Sequence, residues 1–202
     1  YPIGSDKLPL PIKGNEFLIY YSVKPFRDTE FRLRYTNQLK ESVAALNGEY
    51  GVVSRRNDNF RTELLYKLSK FVQMRSRIEF VKTYPTSLSS GEKGLLIFQD
   101  VKYEPSASLN FSGRIVFFQT DSYDSRVYEF ENDLTGVMSN PALYGDGMRW
   151  YLVARYNTSF GLSLSMKYSE LIKPNERALG SGDTLINSNV DNRLSFQLDF
   201  KF

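Results

Sequence analysis

The sequence predicts an all-β chain, an antiparallel transmembrane up-and-down β-barrel of outer-membrane type. Three observations predict it. Nine segments alternate apolar and polar residues with a period of two, the polar side of those segments carries Arg and Lys in mid-segment, and the connections alternate in length. Side chains alternate across a strand, so each segment has one apolar and one polar face. A soluble sandwich alternates as well. It does not place Arg and Lys repeatedly in the middle of its inner faces, whereas a membrane barrel has a wet lumen there and lipid on the other side.

The elements follow in chain order. Residues 1–16 hold three Pro and two Gly without alternation, which predicts an extracellular loop or linker. Barrel strands occupy 17–202. Phe17, Ile19, Tyr21 and Val23 share a face in 17–24, and Phe31, Leu33 and Tyr35 share one in 30–36. In 60–68, Phe60, Leu64, Tyr66 and Leu68 oppose Arg61, Glu63 and Lys67; in 72–80, Val72, Met74, Ile78 and Phe80 oppose Gln73, Arg75, Arg77 and Glu79. Leu95, Ile97, Val101 and Tyr103 lie with Gln99 opposite Asp100 and Lys102, and Leu109, Phe111, Ile115 and Phe117 oppose Asn110, Ser112 and Arg114. Met148, Trp150, Leu152, Ala154 and Tyr156 oppose Arg149, Tyr151, Val153 and Arg155. Phe160, Leu162, Leu164, Met166 and Tyr168 alternate with Gly161, Ser163, Ser165, Lys167 and Ser169. The last segment, 193–202, is the most regular: Leu194, Phe196, Leu198, Phe200 and Phe202 on one side, Arg193, Ser195, Gln197, Asp199 and Lys201 on the other.

Short links fall at 24–29, 68–72, 103–108 and 156–160, and long ones at 37–59, 81–93, 119–147 and 170–192. Tight periplasmic turns opposite long extracellular loops are the membrane-barrel arrangement. Aromatics near segment ends (Tyr103, Tyr156, Phe160, Tyr168) fit interfacial girdles. Within the longest loop, 126–133 reads as an extracellular hairpin arm, with a tenth membrane strand as the alternative. If the terminal strand runs toward the periplasm, nine strands start outside the cell. Single-chain bacterial barrels have even strand counts, so the expectation is an incomplete barrel with earlier strands on a longer chain.

Composition narrows the chemistry. The 202 residues include no Cys and no His, 15% aromatics, and a net charge of +3 from 26 basic and 23 acidic side chains. The mean hydropathy of −0.40 is low, as expected when only every second residue of a strand is apolar. Without His or Cys there is no Ser-His-Asp or thiol catalysis and no His or thiolate metal site. No enzyme is expected; a hydrolase using carboxylates alone is the remote alternative. Neither a cofactor nor a phosphate-cradling glycine motif is indicated. Gly180-Ser181-Gly182 reads as a turn, and Gly147 and Gly161 as aids to sheet curvature.

Two clusters invite a functional reading. Asp121, Asp124, Glu129, Glu131 and Asp133 crowd the 119–147 loop and form a weak Ca²⁺ candidate; the alternative is a loop arm braced to Arg126 and other basic loop groups, or simply a solvated surface. Arg32, Arg34, Arg61, Arg75, Arg77, Arg114, Arg149, Arg155 and Arg193 should line the lumen, opposed by fewer acids (Glu30, Glu63, Glu79, Asp100, Asp199). Such a face either favours anions or forms an Arg–Glu network that plugs the lumen. Leu194, Phe196, Leu198, Phe200, Phe202, Leu162, Leu164 and Trp150 should face lipid.

The stretches Glu92 to Tyr103, Thr120 to Asp133, Gly147 to Leu152 and Gly180 to Gly182 carry a resemblance. Over most of 55–202 the chain resembles the C-terminal barrel of a helix-hairpin-helix outer-membrane protein family of Bacteroidetes. The helix-hairpin-helix segment itself is absent from these residues. The resemblance implies the bacterial outer membrane as location, outer-membrane lipid as surroundings, and barrel-assembly machinery engaging the terminal strand that ends in Phe202. Other envelope proteins are further partners, and nucleic acid one only if an upstream DNA-binding segment exists. The expected role is a pore or the membrane-anchored scaffold of an envelope complex, the alternative being a component of DNA uptake.

Overall fold

The computed structural model describes residues 12–46, 49–84 and 90–200, without the side chains of 44–46, 49 and 50. Phe202 and the first eleven residues lie outside the described part. The strands are β1 (Gly14–Phe26), β2 (Thr29–Leu46), β3 (Glu49–Lys67), β4 (Val72–Tyr84), β5 (Glu92–Tyr103) and β6 (Leu109–Thr120), then the short β7 (Val127–Tyr128) and β8 (Ala142–Leu143), and finally β9 (Asp146–Asn157), β10 (Leu162–Ile172) and β11 (Val190–Phe200). Nine of them form one antiparallel up-and-down sheet in the order β1-β2-β3-β4-β5-β6-β9-β10-β11. It is an open sheet: β1 and β11 are its two edges and do not pair with each other, so the described residues by themselves do not close into a barrel. Alternation dictates strands and faces, but closure needs a register between the first and last strand that no pattern within one strand encodes.

Register carries the apolar face from strand to strand across the sheet. One row runs Tyr35, Phe60, Phe80 and Leu95; another runs Ile78, Ile97, Phe117 and Met148. A third continues Phe111, Ala154, Met166 and Phe196. A one-residue slip at any pair would turn a whole strand's apolar set to the other side, so this pattern specifies the register strongly. Ile97 is 43% exposed, Phe117 52% and Leu194 55%, on a surface that no other described part of the chain covers. Gln99 sits among them with its amide satisfied, accepting from Ser76 Oγ and donating to the carbonyls of Arg75 and Asp100.

Three expectations need correction. The first strand begins at Gly14 rather than 17. The 37–59 link is no loop: β2 and β3 stay paired from Asn37↔Asp58 out to Leu46↔Glu49, because the alternation weakens there while the hairpin's hydrogen bonding continues. Gly161, read as an aid to sheet curvature, does not lie in a strand. Gly161 has φ 89° in the β9–β10 turn, and at Gly147 a Cβ would stand 2.7 Å from the Ile172 carbonyl and 2.7 Å from the Phe118 ring.

Candidate functional site: a charged face under an acidic strap

The face opposite the apolar one is built first from cross-strand pairs. Arg61 stands across from Glu79, Glu63 across from Arg77, and Asp100 lies between Arg75 and Arg114. Opposite charges directly across a strand pair stabilise each other, and here the geometry is tight. Arg61 donates to both Glu79 oxygens at 2.8 and 3.0 Å, and Arg75 to Asp100 at 2.9 and 2.7 Å. Arg77 Nε donates to Glu63 at 2.8 Å, and Arg114 grips both oxygens of Asp100. Phe98 anchors the cluster: the guanidiniums of Arg75, Arg77 and Arg114 lie 5.2, 4.6 and 4.1 Å from its ring centroid.

The 121–145 connection covers this face. β7 and β8 pair, and an isolated bridge joins Glu131 to Ser139, so the expected hairpin arm exists. It does not project from the sheet's end. It crosses the strands as a strap, from β3, where Arg55 donates to the Asp124 carbonyl at 2.8 Å, to β11, where Gln197 donates to the Thr135 carbonyl at 3.0 Å. Extended chain puts every second side chain on one side, and Val127, Glu129, Glu131 and Asp133 point at the sheet.

Val127, with Leu143, completes a dry cluster with Val81, Leu96, Phe98, Val116 and Phe118, so this face is not polar throughout. Next, Glu129 accepts from Arg77 at 2.8 Å and from Arg114, with 1% of its surface exposed. Glu131 accepts from Arg149 and, at 2.8 Å, from Lys167; Asp133 accepts from Lys167 at 2.6 Å. Backbone contacts finish the docking. Arg114 donates to the Phe130 carbonyl, Arg155 to the Asp133 carbonyl, and the Asn132 N–H to the Tyr151 hydroxyl at 3.1 Å. Among the described residues no buried side-chain nitrogen or oxygen lacks a partner. At Gly94 a Cβ would stand 2.4 Å from the Ser125 carbonyl oxygen, so only glycine lets the strap lie flat on β5.

The charges of the ion-paired groups balance. The sheet under the strap holds six cations (Arg61, Arg75, Arg77, Arg114, Arg149, Lys167) and three carboxylates (Glu63, Glu79, Asp100); the strap adds three more. Its carboxylates respond to their setting. Burial holds Glu129 above the usual carboxylate range. For Glu131, burial pushes the same way, but hydrogen bonds from Arg149 and Lys167 outweigh it and the net shift is downward.

The five carboxylates proposed for Ca²⁺ are not brought together. Asp121 accepts from the Lys93 N–H, Asp124 pairs with Arg55, and the other three take the sheet's cations. Among the described residues no group of three or more His, Cys, Asp or Glu could hold a metal ion. The alternative also needs correcting, because Arg126 packs on Tyr123 and Tyr128 and does not brace the acids. Of the lumen set, Arg61, Arg75, Arg77, Arg114, Arg149 and Arg155 gather under or beside the strap. Arg32 and Arg193 share the face but pair locally with Glu30 and Asp191, and Arg34 lies opposite Tyr20 of the edge strand. Lys167 was missed, although it alternates with Met166 and Tyr168. Comparisons with protein-family models, curated proteins and solved structures return no match to this chain.

Proposed function

We propose that this chain is wall of an outer-membrane β-barrel that acts as a membrane-embedded scaffold, its lumen closed by its own strap. One observation carries the reading: nine strands in register present a largely apolar surface on one side and, among the described residues, a satisfied ion-pair network on the other. Monomeric soluble proteins rarely leave apolar surface of that extent uncovered, and lipid would cover it without a second layer of protein. In lipid the edges of β1 and β11 have to be paired, since hydrocarbon offers unpaired backbone no partner. The resemblance to the helix-hairpin-helix outer-membrane family agrees in fold and location and adds no activity. Between the two readings of the charged face, the strap favours the plug, because its acids occupy the cations that would attract solute.

The only Trp, Trp150, lies on the apolar side against Tyr168, its Nε1 donating to Glu170. In vesicles containing brominated lipid its fluorescence should be quenched, and planar bilayers should show no steady conductance. A detergent-free, monodisperse protein whose Trp150 escapes quenching overturns the membrane reading. A steady open conductance overturns the closed lumen.

A further inference from the structure

The strap's chemistry says what its berth accepts. Arg77, Arg114, Arg149 and Lys167 come from β4, β6, β9 and β10, and the strap lays carboxylates on them at every second residue, about 7 Å apart in extended chain. Without the strap, six cations would face three carboxylates in a partly dehydrated setting, an imbalance a buried site does not tolerate unpaired. Water can rehydrate the uncovered cations but does not neutralise them; an anion does. We propose that these four residues form an anion-binding track, that the strap is its built-in occupant, and that displacing the strap admits a solute carrying two or three carboxylate or phosphate groups. The proposal rests on the closed-lumen reading above.

Three features argue for a displaceable occupant rather than a fixed part of the core. Along 129–133 the strap meets the sheet through ion pairs and hydrogen bonds to the sheet's side chains, and the apolar side chains it buries are few: Val127, Leu134 and Leu143. Its start lies against bare backbone at Gly94, a contact that depends on a missing Cβ. Beside its end opens a polar cleft of about 730 Å³, lined by Lys102, Asn110, Ser112, Asn132, Asp133 and Arg155, through which a small anion could reach the track. Arg forks suit carboxylate and phosphate alike, so two probes separate the ligand sources.

The test uses the full chain in vesicles, with inorganic tripolyphosphate and citrate titrated calorimetrically. The triple variant E129Q/E131Q/D133N removes the strap's charge and keeps its shape; Gly94→Val displaces the strap and leaves every charge. Both should bind at least one probe ten-fold or more tighter than the unaltered protein, with affinity falling as salt screens the track. Adding Arg114→Gln to the triple variant should return binding toward the unaltered level. The preferred probe identifies phosphate or carboxylate as the ligand group. If neither variant gains binding while Trp150 remains quenched by brominated lipid, the proposal falls and the membrane reading stands. Equal binding by the unaltered protein also overturns it, since the strap would then not occupy the track. Loss of quenching in the unaltered protein counts against the membrane reading instead.

Discussion

Replacing Glu129 by Ala tests how strongly the strap is held. Glu129 is 1% exposed and accepts from two guanidiniums whose side chains are 9% and 1% exposed. Removing one partner of a buried ion pair costs about 3–5 kcal/mol. Here the lower end applies: Arg77 keeps Glu63 at 2.8 Å and Arg114 keeps both oxygens of Asp100. The loss has a ceiling, because a strap that lets go rehydrates the arginines. Besides its carboxylates, the docked strap is held by the burial of Val127, Leu134 and Leu143, about 1.5–3 kcal/mol for each side chain fully buried. Glu129→Ala should therefore weaken docking by about 3 kcal/mol without unfolding the sheet, roughly a hundred-fold in the opening equilibrium. The Asn132 N–H, bonded to the Tyr151 hydroxyl, reports that equilibrium directly through hydrogen exchange. Its exchange should accelerate about a hundred-fold while amides in β4–β6 stay protected. An Asn132 rate within a few-fold of the unaltered protein would refute the reasoning, and so would equal acceleration across the sheet.

Other substitutions probe separate parts of the structure. Phe98→Leu keeps an apolar side chain but removes the ring shared by three guanidiniums; cation–π contacts in dehydrated settings are worth about 2 kcal/mol, so a loss of about 1–3 kcal/mol is expected from thermal unfolding in detergent. Ile97→Arg puts a charge at mid-strand on the apolar face and should cost about 2–4 kcal/mol in vesicle-folding titrations, where a soluble protein would show almost none. Acidification should loosen the 131–133 end of the strap first. Burial favours the neutral forms of Glu131 and Asp133, but hydrogen bonds from Arg149 and Lys167 to the first, and from Lys167, Ser139 and the Leu134 N–H to the second, leave both carboxyls lowered. A lowered carboxyl contributes stability that is present above its unfolded value and lost as pH falls through the folded one. Glu129, raised by burial, has the opposite sign, so its end should not loosen over the same range. Exchange of the Glu131 and Asn132 amides measured on descending pH checks this.

Residue alternation was enough to establish the regular parts of the nine long strands and their two faces, though not the continuation of β2 and β3 through 37–59. Phe117, Ile97 and Leu198 stand on the apolar side, and Arg75, Arg114 and Arg149 on the other, because a period of two is a local property of extended chain. The short turns, the absence of His and Cys chemistry, and a hairpin near 126–133 are local facts of the same kind. Where that hairpin goes is not local. Glu129 meets arginines 15 and 52 residues away, and Lys167 lies 36 residues from Glu131, separations at which nothing in the intervening chain names the partner. The same blindness turned five nearby carboxylates into a metal candidate: proximity along the chain is not convergence in space, and the extended strap spreads them over six strands. It also hid the dry cluster of Leu96, Phe98 and Val127, since an apolar residue on a polar face looks like noise until another segment covers it. Only the tertiary fold sets the sheet's open edges and the strap's course across it, because both depend on which distant surfaces come to share their charge and exclude water.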